Sequence, residues 1–158
     1  MPASNVGNGA TVVVQVRDVR PSSQIGYRGL DSKGAEITTD QDLAPVVQKK
    51  IIEGLTQQGF KAVSAGEEPA RMLKVEIRDL QYTTDMDFWK GIVRTKAVLQ
   101  ASSRTEGRVY EQLYAAEREE KAAEAPRAKT NAQLINGVLS HALQRLLGDQ
   151  RLVRWLAN

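Results

Sequence analysis

With 158 residues, 41% of them hydrophobic and 26% charged, the chain is long enough for one buried core and has the composition of a globular protein. Its net charge of +3 comes from 22 basic and 19 acidic residues interspersed along the chain, which argues against the clustered basic patch of a nucleic-acid binder. Cysteine is absent, excluding disulfides, thiolate nucleophiles and Cys-containing zinc sites, and no apolar run approaches the roughly 20 residues of a membrane-spanning helix.

Met1 to Ala10 is small, polar and Gly/Asn-rich, with neither the basic start nor the apolar block of a secretion signal, and it reads as a disordered tail (1–10) ahead of a single α+β domain (11–158). The first element is a strand from Thr11 to Val19, where Val12, Val14 and Val16 supply β-branched density before Pro21 ends it. Gln24 to Gly34 reads as a glycine-bearing connection, and Ala35 to Thr38 as a short edge strand.

Leu43, Val46, Val47, Ile51 and Leu55 repeat at helical spacing, with Phe60 closing the stripe. Asp42 is the expected N-cap, Pro45 then falls at the third helical position where no hydrogen bond is lost, and Gly59 supplies a left-handed stop. Lys61 to Ser64 suggests a brief strand.

Met72 to Ala115 reads as three consecutive strands. Leu73, Val75 and Ile77 alternate with charged residues, whereas Leu80 and Tyr82 continue in the opposite phase. Either a β-bulge near Arg78-Asp79 absorbs one residue or the strand ends there. Val93, Thr95, Ala97, Leu99 and Ala101 form the next strand, and Thr83 to Lys90 reads as the connection between the two. That connection holds Met86, Phe88 and Trp89, either an exposed contact for a partner or lipid surface or the start of the next strand folded onto the core.

Past the turn at Ser103 to Gly107, the segment from Arg108 is expected to be a strand through about Arg118, with Val109, Leu113 and Ala115 facing the core and Tyr110, Gln112 and Tyr114 facing out. Glu117 to Glu124 has helix propensity that opposes this assignment. The last long helix carries Leu134, Ile135, Val138, Leu139, Leu143, Leu146 and Leu147 on one face, with Thr130 and Gln133 as an expected capping box and Gly148 as its stop. Leu152, Val153, Trp155 and Leu156 add another amphipathic turn or two.

Chemical signals are sparse. His141 is the only histidine, so a triad or a His-based metal site has no second member, and it reads as a surface residue. Asp85 and Asp87 fall short of a calcium ligand set, and Gly26, Gly29 and Gly34 lack the context of a phosphate loop. No catalytic, metal or cofactor-binding residue is assigned, and no cofactor is expected.

The chain resembles the YajG-like family of bacterial outer-membrane lipoproteins. The resemblance rests on the valine-rich first strand with Asp18-Val19-Arg20, Asp42-Leu43 opening a helix that closes on Gly59-Phe60, the strand ending Leu80-Gln81-Tyr82, and the tail helix followed by Asp149, Leu152, Trp155 and Leu156. It implies an exported protein, acylated on a cysteine after a signal peptide and held at the inner leaflet of the outer membrane. Neither signal nor cysteine occurs in this sequence, and no catalytic residues come with the family.

The expectation is therefore an α+β fold with a mixed, mainly antiparallel sheet of four to five strands and two amphipathic helices on one face. A right-handed crossover sets the first strand beside the Met72 to Tyr82 strand. The expected function is a non-enzymatic, periplasm-facing interaction or accessory module that contacts an envelope component, with a homodimer through strand addition as an option. The alternatives are a carboxylate-based hydrolase and, further back, a nucleic-acid binder.

Overall fold

The computed structural model describes residues 5–20, 24–27, 36–38, 42–66, 71–87, 90–105, 107–122 and 128–158. In chain order the elements are β1 (Thr11–Asp18), β2 (Gln24–Tyr27), β3 (Glu36–Thr38), α1 (Leu43–Gln57), β4 (Lys61–Val63), β5 (Arg71–Asp87), β6 (Lys90–Thr105), β7 (Arg108–Ala122), α2 (Ala128–Leu147) and α3 (Gln150–Ala157).

The main sheet has the order β4-β1-β5-β6-β7. β1 pairs in parallel with β4 on one side and β5 on the other, and β5, β6 and β7 form an antiparallel meander. This is the expected mixed α+β sheet, with β1 beside β5. Gln24 to Tyr27, read from sequence as connection, is a strand. It pairs antiparallel with β3 in a separate two-stranded sheet, so the short strand near Ile37 finds a local partner instead of edging the main sheet.

β5 carries the bulge. Ile77 pairs with Leu99 and Asp79 with Val98, which leaves Arg78 unmatched. The extra residue restores the facing of the strand, and Leu73, Val75, Ile77, Leu80 and Tyr82 all stay buried. β5 then continues to Asp87, opposite Lys90, so most of the segment from Thr83 to Lys90 is ladder and not connection.

β7 differs from expectation in length and facing. It runs to Ala122 because backbone pairing with β6 outweighs local helix propensity, assisted by cross-strand Lys96–Glu117 at 3.7 Å and Arg94–Glu119 at 3.0 Å. Its expected core face is reversed. β6 turns Ala97 and Leu99 inward, and these stand opposite Ala116 and Tyr114, so the even-numbered residues of β7 follow them into the core. Tyr114 is 6% exposed, whereas Val109 and Leu113 are 57% and 55% exposed.

The helices cover one face of the sheet. Asp42 caps α1 by accepting from Ala44 N at 3.1 Å, and Gly59 at φ 90° turns the chain into β4. Val47, Ile51 and Leu55 of α1 meet Val12 and Val14 of β1 in the core. Gln58 Nε2 donates to Leu147 O at 2.9 Å, a buried bond that ties the end of α1 to the end of α2. α2 already begins at Ala128, so Thr130 lies within its first turn and is not the expected N-cap. Asp149 instead caps a third helix, α3, accepting from Arg151 N at 3.0 Å. Of the expected tail, Asn5 to Ala10 is docked: Gly7 N donates to Gln58 O at 2.8 Å and Gly9 N to Gly59 O at 2.7 Å.

Candidate functional site

Met86 lies in β5 opposite Gly91, and its side chain, together with Phe88 and Trp89, lies outside the described residues. Asp85 and Asp87 are ladder positions of the same strand, opposite Ile92 and Lys90. His141 is half-buried on α2. Among the described residues no group of three or more His, Asp or Glu is placed to hold a metal ion.

The surface feature that sequence reasoning missed is the outer side of β7. This 15-residue strand ends the main sheet, so one side of its backbone has no ladder partner among the described residues. On the sheet face turned away from the helices, Val109, Glu111, Leu113 and Ala115 are all exposed. The signal was the alternation itself, which gives the period but not which set faces in.

At the opposite face, β7 meets α3 through a clamp. Tyr110 and Tyr114 both donate their hydroxyls to Asp149 Oδ2 at 2.6 Å, while Asp149 Oδ1 accepts from Arg151 N. Burial pushes the Tyr114 hydroxyl far above its ordinary value, and the hydrogen bond to Asp149 raises it further. Burial raises Tyr110 as well, with the same carboxylate adding to it. Burial alone would raise Asp149, but the hydrogen bonds from Tyr110, Tyr114 and Arg151 N outweigh it and hold the carboxyl below 3.8. Reluctant phenols around a firmly ionised carboxylate do not exchange protons near neutral pH. The clamp fastens α3 to the sheet.

Trp155 of α3 extends this cluster, with its ring centroid 5.8 Å from that of Tyr110 and the Arg71 guanidinium 5.6 Å from its centroid. Arg71 also donates to the main-chain oxygen of Asn158. Beside them, at the end of the sheet where β5 and β7 begin and β6 ends, lies a cleft of about 420 Å³ lined by Arg71, Thr105, Arg108, Trp155 and Asn158. These residues are distant in sequence and form no motif. A second depression, of about 360 Å³, includes Gln81, Thr83, Arg94, Lys96, Glu117, Arg118 and Glu119, where Arg94 and Lys96 are already paired across strands with Glu119 and Glu117.

A family model described as "Uncharacterized lipoprotein" matches residues 1–157. The chain belongs to that family. This agrees with the YajG-like resemblance read from its core pattern. No curated protein matches the chain. Among solved structures, a Helicobacter pylori protein, provisionally described as a neuraminyllactose-binding hemagglutinin homologue, is similar with a TM-score of 0.53 at 7% identity, covering 98% of this chain and 90% of that one. The likeness shows a shared fold. An uncharacterized protein (TM-score 0.48, 13% identity, 91% and 92% covered) and lipoprotein GNA1162 from Neisseria meningitidis (0.37, 11%, 84% and 96%) are also similar. Among the described residues of this family member, no helix is long and apolar enough to cross a membrane.

Proposed function

We propose that this lipoprotein-family chain is a non-enzymatic, periplasm-facing module, tethered to the outer membrane by lipid, that holds an extended segment of an envelope protein along the free edge of β7. The observation that carries the reading is the unpaired outer side of that strand with Val109 and Leu113 exposed on one face. In strand addition, backbone hydrogen bonds supply affinity and alternate side chains supply specificity. The open face of β7 presents Val109, Glu111, Leu113, Ala115, Glu117, Glu119 and Lys121, three acids against one base. The complementary segment carries aliphatic residues opposite Val109 and Leu113 and basic residues opposite the glutamates. A second copy of β7 would bring acid against acid.

The test is photo-crosslinking from position 113 in the membrane fraction of the native host, with the adducts mapped by mass spectrometry. The expected result is an adduct on an extended segment with that aliphatic and basic alternation, lost in Val109→Lys. Intact mass of the same material should show a diacylglyceryl cysteine. Adducts to a second copy of the chain alone, or adducts insensitive to Val109→Lys, would overturn the edge as a partner site.

A further inference from the structure

We infer that Asn8 is a site of spontaneous covalent modification, in which its side-chain amide closes onto the Gly9 nitrogen, and that docking of the N-terminal segment governs the rate. The chain holds two Asn-Gly pairs, Asn8-Gly9 and Asn136-Gly137. Glycine has no side chain to shield its backbone nitrogen, so at these positions that nitrogen reaches the preceding asparagine Cγ most readily. In the step, the Gly9 nitrogen gives its proton to solvent hydroxide and bonds to Asn8 Cγ. The bond from Cγ to the side-chain nitrogen breaks and ammonia leaves. Water then opens the resulting succinimide at one carbonyl or the other, giving aspartate or isoaspartate, and nothing is oxidised or reduced.

The fold treats the two pairs differently. Asn8 is exposed at φ 47°, Gly9 stands at φ 79°, and Ala10 N donates to Gly7 O at 2.9 Å, which makes Gly7 to Ala10 a type I′ turn. The nitrogen that must attack is engaged, because Gly9 N donates to Gly59 O at 2.7 Å. That bond prevents the reaction only while the segment is docked. The dock is small, with Gly7 N donating to Gln58 O at 2.8 Å and Gly7 packed against Phe60. A turn near a chain terminus held by few contacts opens at far less cost than the whole domain. Gly137 instead lies inside α2, between the buried Ile135 and Val138, where opening means unwinding a helix seated in the core.

The modification is one-way. Isoaspartate adds a carbon to the backbone, so the closure of the turn and the bonds to Gln58 and Gly59 no longer fall in register. The segment ahead of Thr11 is then released from α1 and β4, at the margin of the sheet opposite the β7 edge.

The experiment incubates the full chain in mildly alkaline buffer made with heavy-oxygen water and follows Asn8 and Asn136 by peptide mapping. The native chain is compared with the chain unfolded in urea and with Gly7→Ala, whose folding is checked by its urea midpoint. The expected result is conversion at Asn8 that is slower in the native chain than in urea and about tenfold faster in Gly7→Ala, with Asn136 converting only in urea. The modified native fraction should also show faster exchange at the Gly9 amide. If Gly7→Ala does not fold, urea added to the native chain well below its midpoint takes its place, and Asn8 should respond before Asn136. Equal rates at Asn8 in the native and unfolded chain would remove the control by docking. Conversion at Asn136 matching Asn8 in the native chain, or none at Asn8 while the unfolded chain converts fully, overturns the site.

Discussion

Tyr114 and Asp149 are joined by a 2.6 Å hydrogen bond that binds the edge strand of the sheet to the N-cap of the last helix. A charge-assisted bond of this kind contributes about 1.5–3 kcal/mol. Tyr114→Phe should lower unfolding free energy by that amount, read as a reduced urea midpoint at unchanged slope. Asp149→Asn keeps a competent N-cap but loses the charge, and should cost a similar amount. Because Tyr110 donates to the same oxygen, the Tyr110→Phe/Tyr114→Phe pair should depart from additivity.

Acid stability follows from two carboxyls. The Arg20 side chain bonded to Asp18 holds that carboxyl below its ordinary 3.8, and the tyrosine hydroxyls and the Arg151 amide outweigh burial to do the same for Asp149. Depressed folded-state values contribute stability that is present above 3.8 and lost as pH falls through the folded values. Urea midpoints should be level above about pH 5 and fall steeply below about pH 4, with a shallower fall in Asp149→Asn.

At the alkaline end the sign reverses. Burial pushes Tyr82 up to about 12 and raises Tyr110 and Tyr114. Stability linked to these phenols is complete below their ordinary value of 10.0 and is lost as pH rises toward the folded values. Tyrosinate absorbance from these three should therefore appear together with unfolding, as a single step, in a spectrophotometric titration. Three independent early steps would contradict the burial assigned to them.

The β5 bulge predicts an asymmetry between two deletions. Removing Arg78 deletes the unmatched residue and leaves Leu80 and Tyr82 facing the core, at a cost of about 1–2 kcal/mol in lost twist and packing. Removing Gln81 turns Tyr82 to the wrong face and should prevent cooperative folding. Comparison of the two melting curves checks it.

Gly7→Ala tests the docked N-terminal segment. A Cβ there would lie 2.6 Å from the Phe60 backbone nitrogen, a contact that no side-chain rotation relieves. The expected cost is about 1–3 kcal/mol, with faster amide exchange at Gly9, whose N–H bonds Gly59 O.

What could be read from the chain alone was governed by local chemistry. Asp42 and Gly59 bound the first helix through their own cap and φ requirements, and the phase change between Ile77 and Leu80 implied the bulge because an odd residue must be absorbed somewhere. The aliphatic stripes of α1 and α2 identified the core for the same reason, as did membership of a family whose likeness lies in core positions. The facing of β7 was not legible. Val109 and Leu113 alternate with Tyr110 and Tyr114 equally well on either face, and the choice falls to the register with Leu99 and to the carboxylate of Asp149, which gives two phenols a buried partner. The cleft was equally hidden, because Arg71, Arg108 and Trp155 become neighbours only when the starts of β5 and β7 and the end of α3 come together at one margin of the sheet. Period, caps and breaks are properties of adjacent residues. Register and convergence depend on contacts between segments far apart in sequence, and only the folded chain sets them.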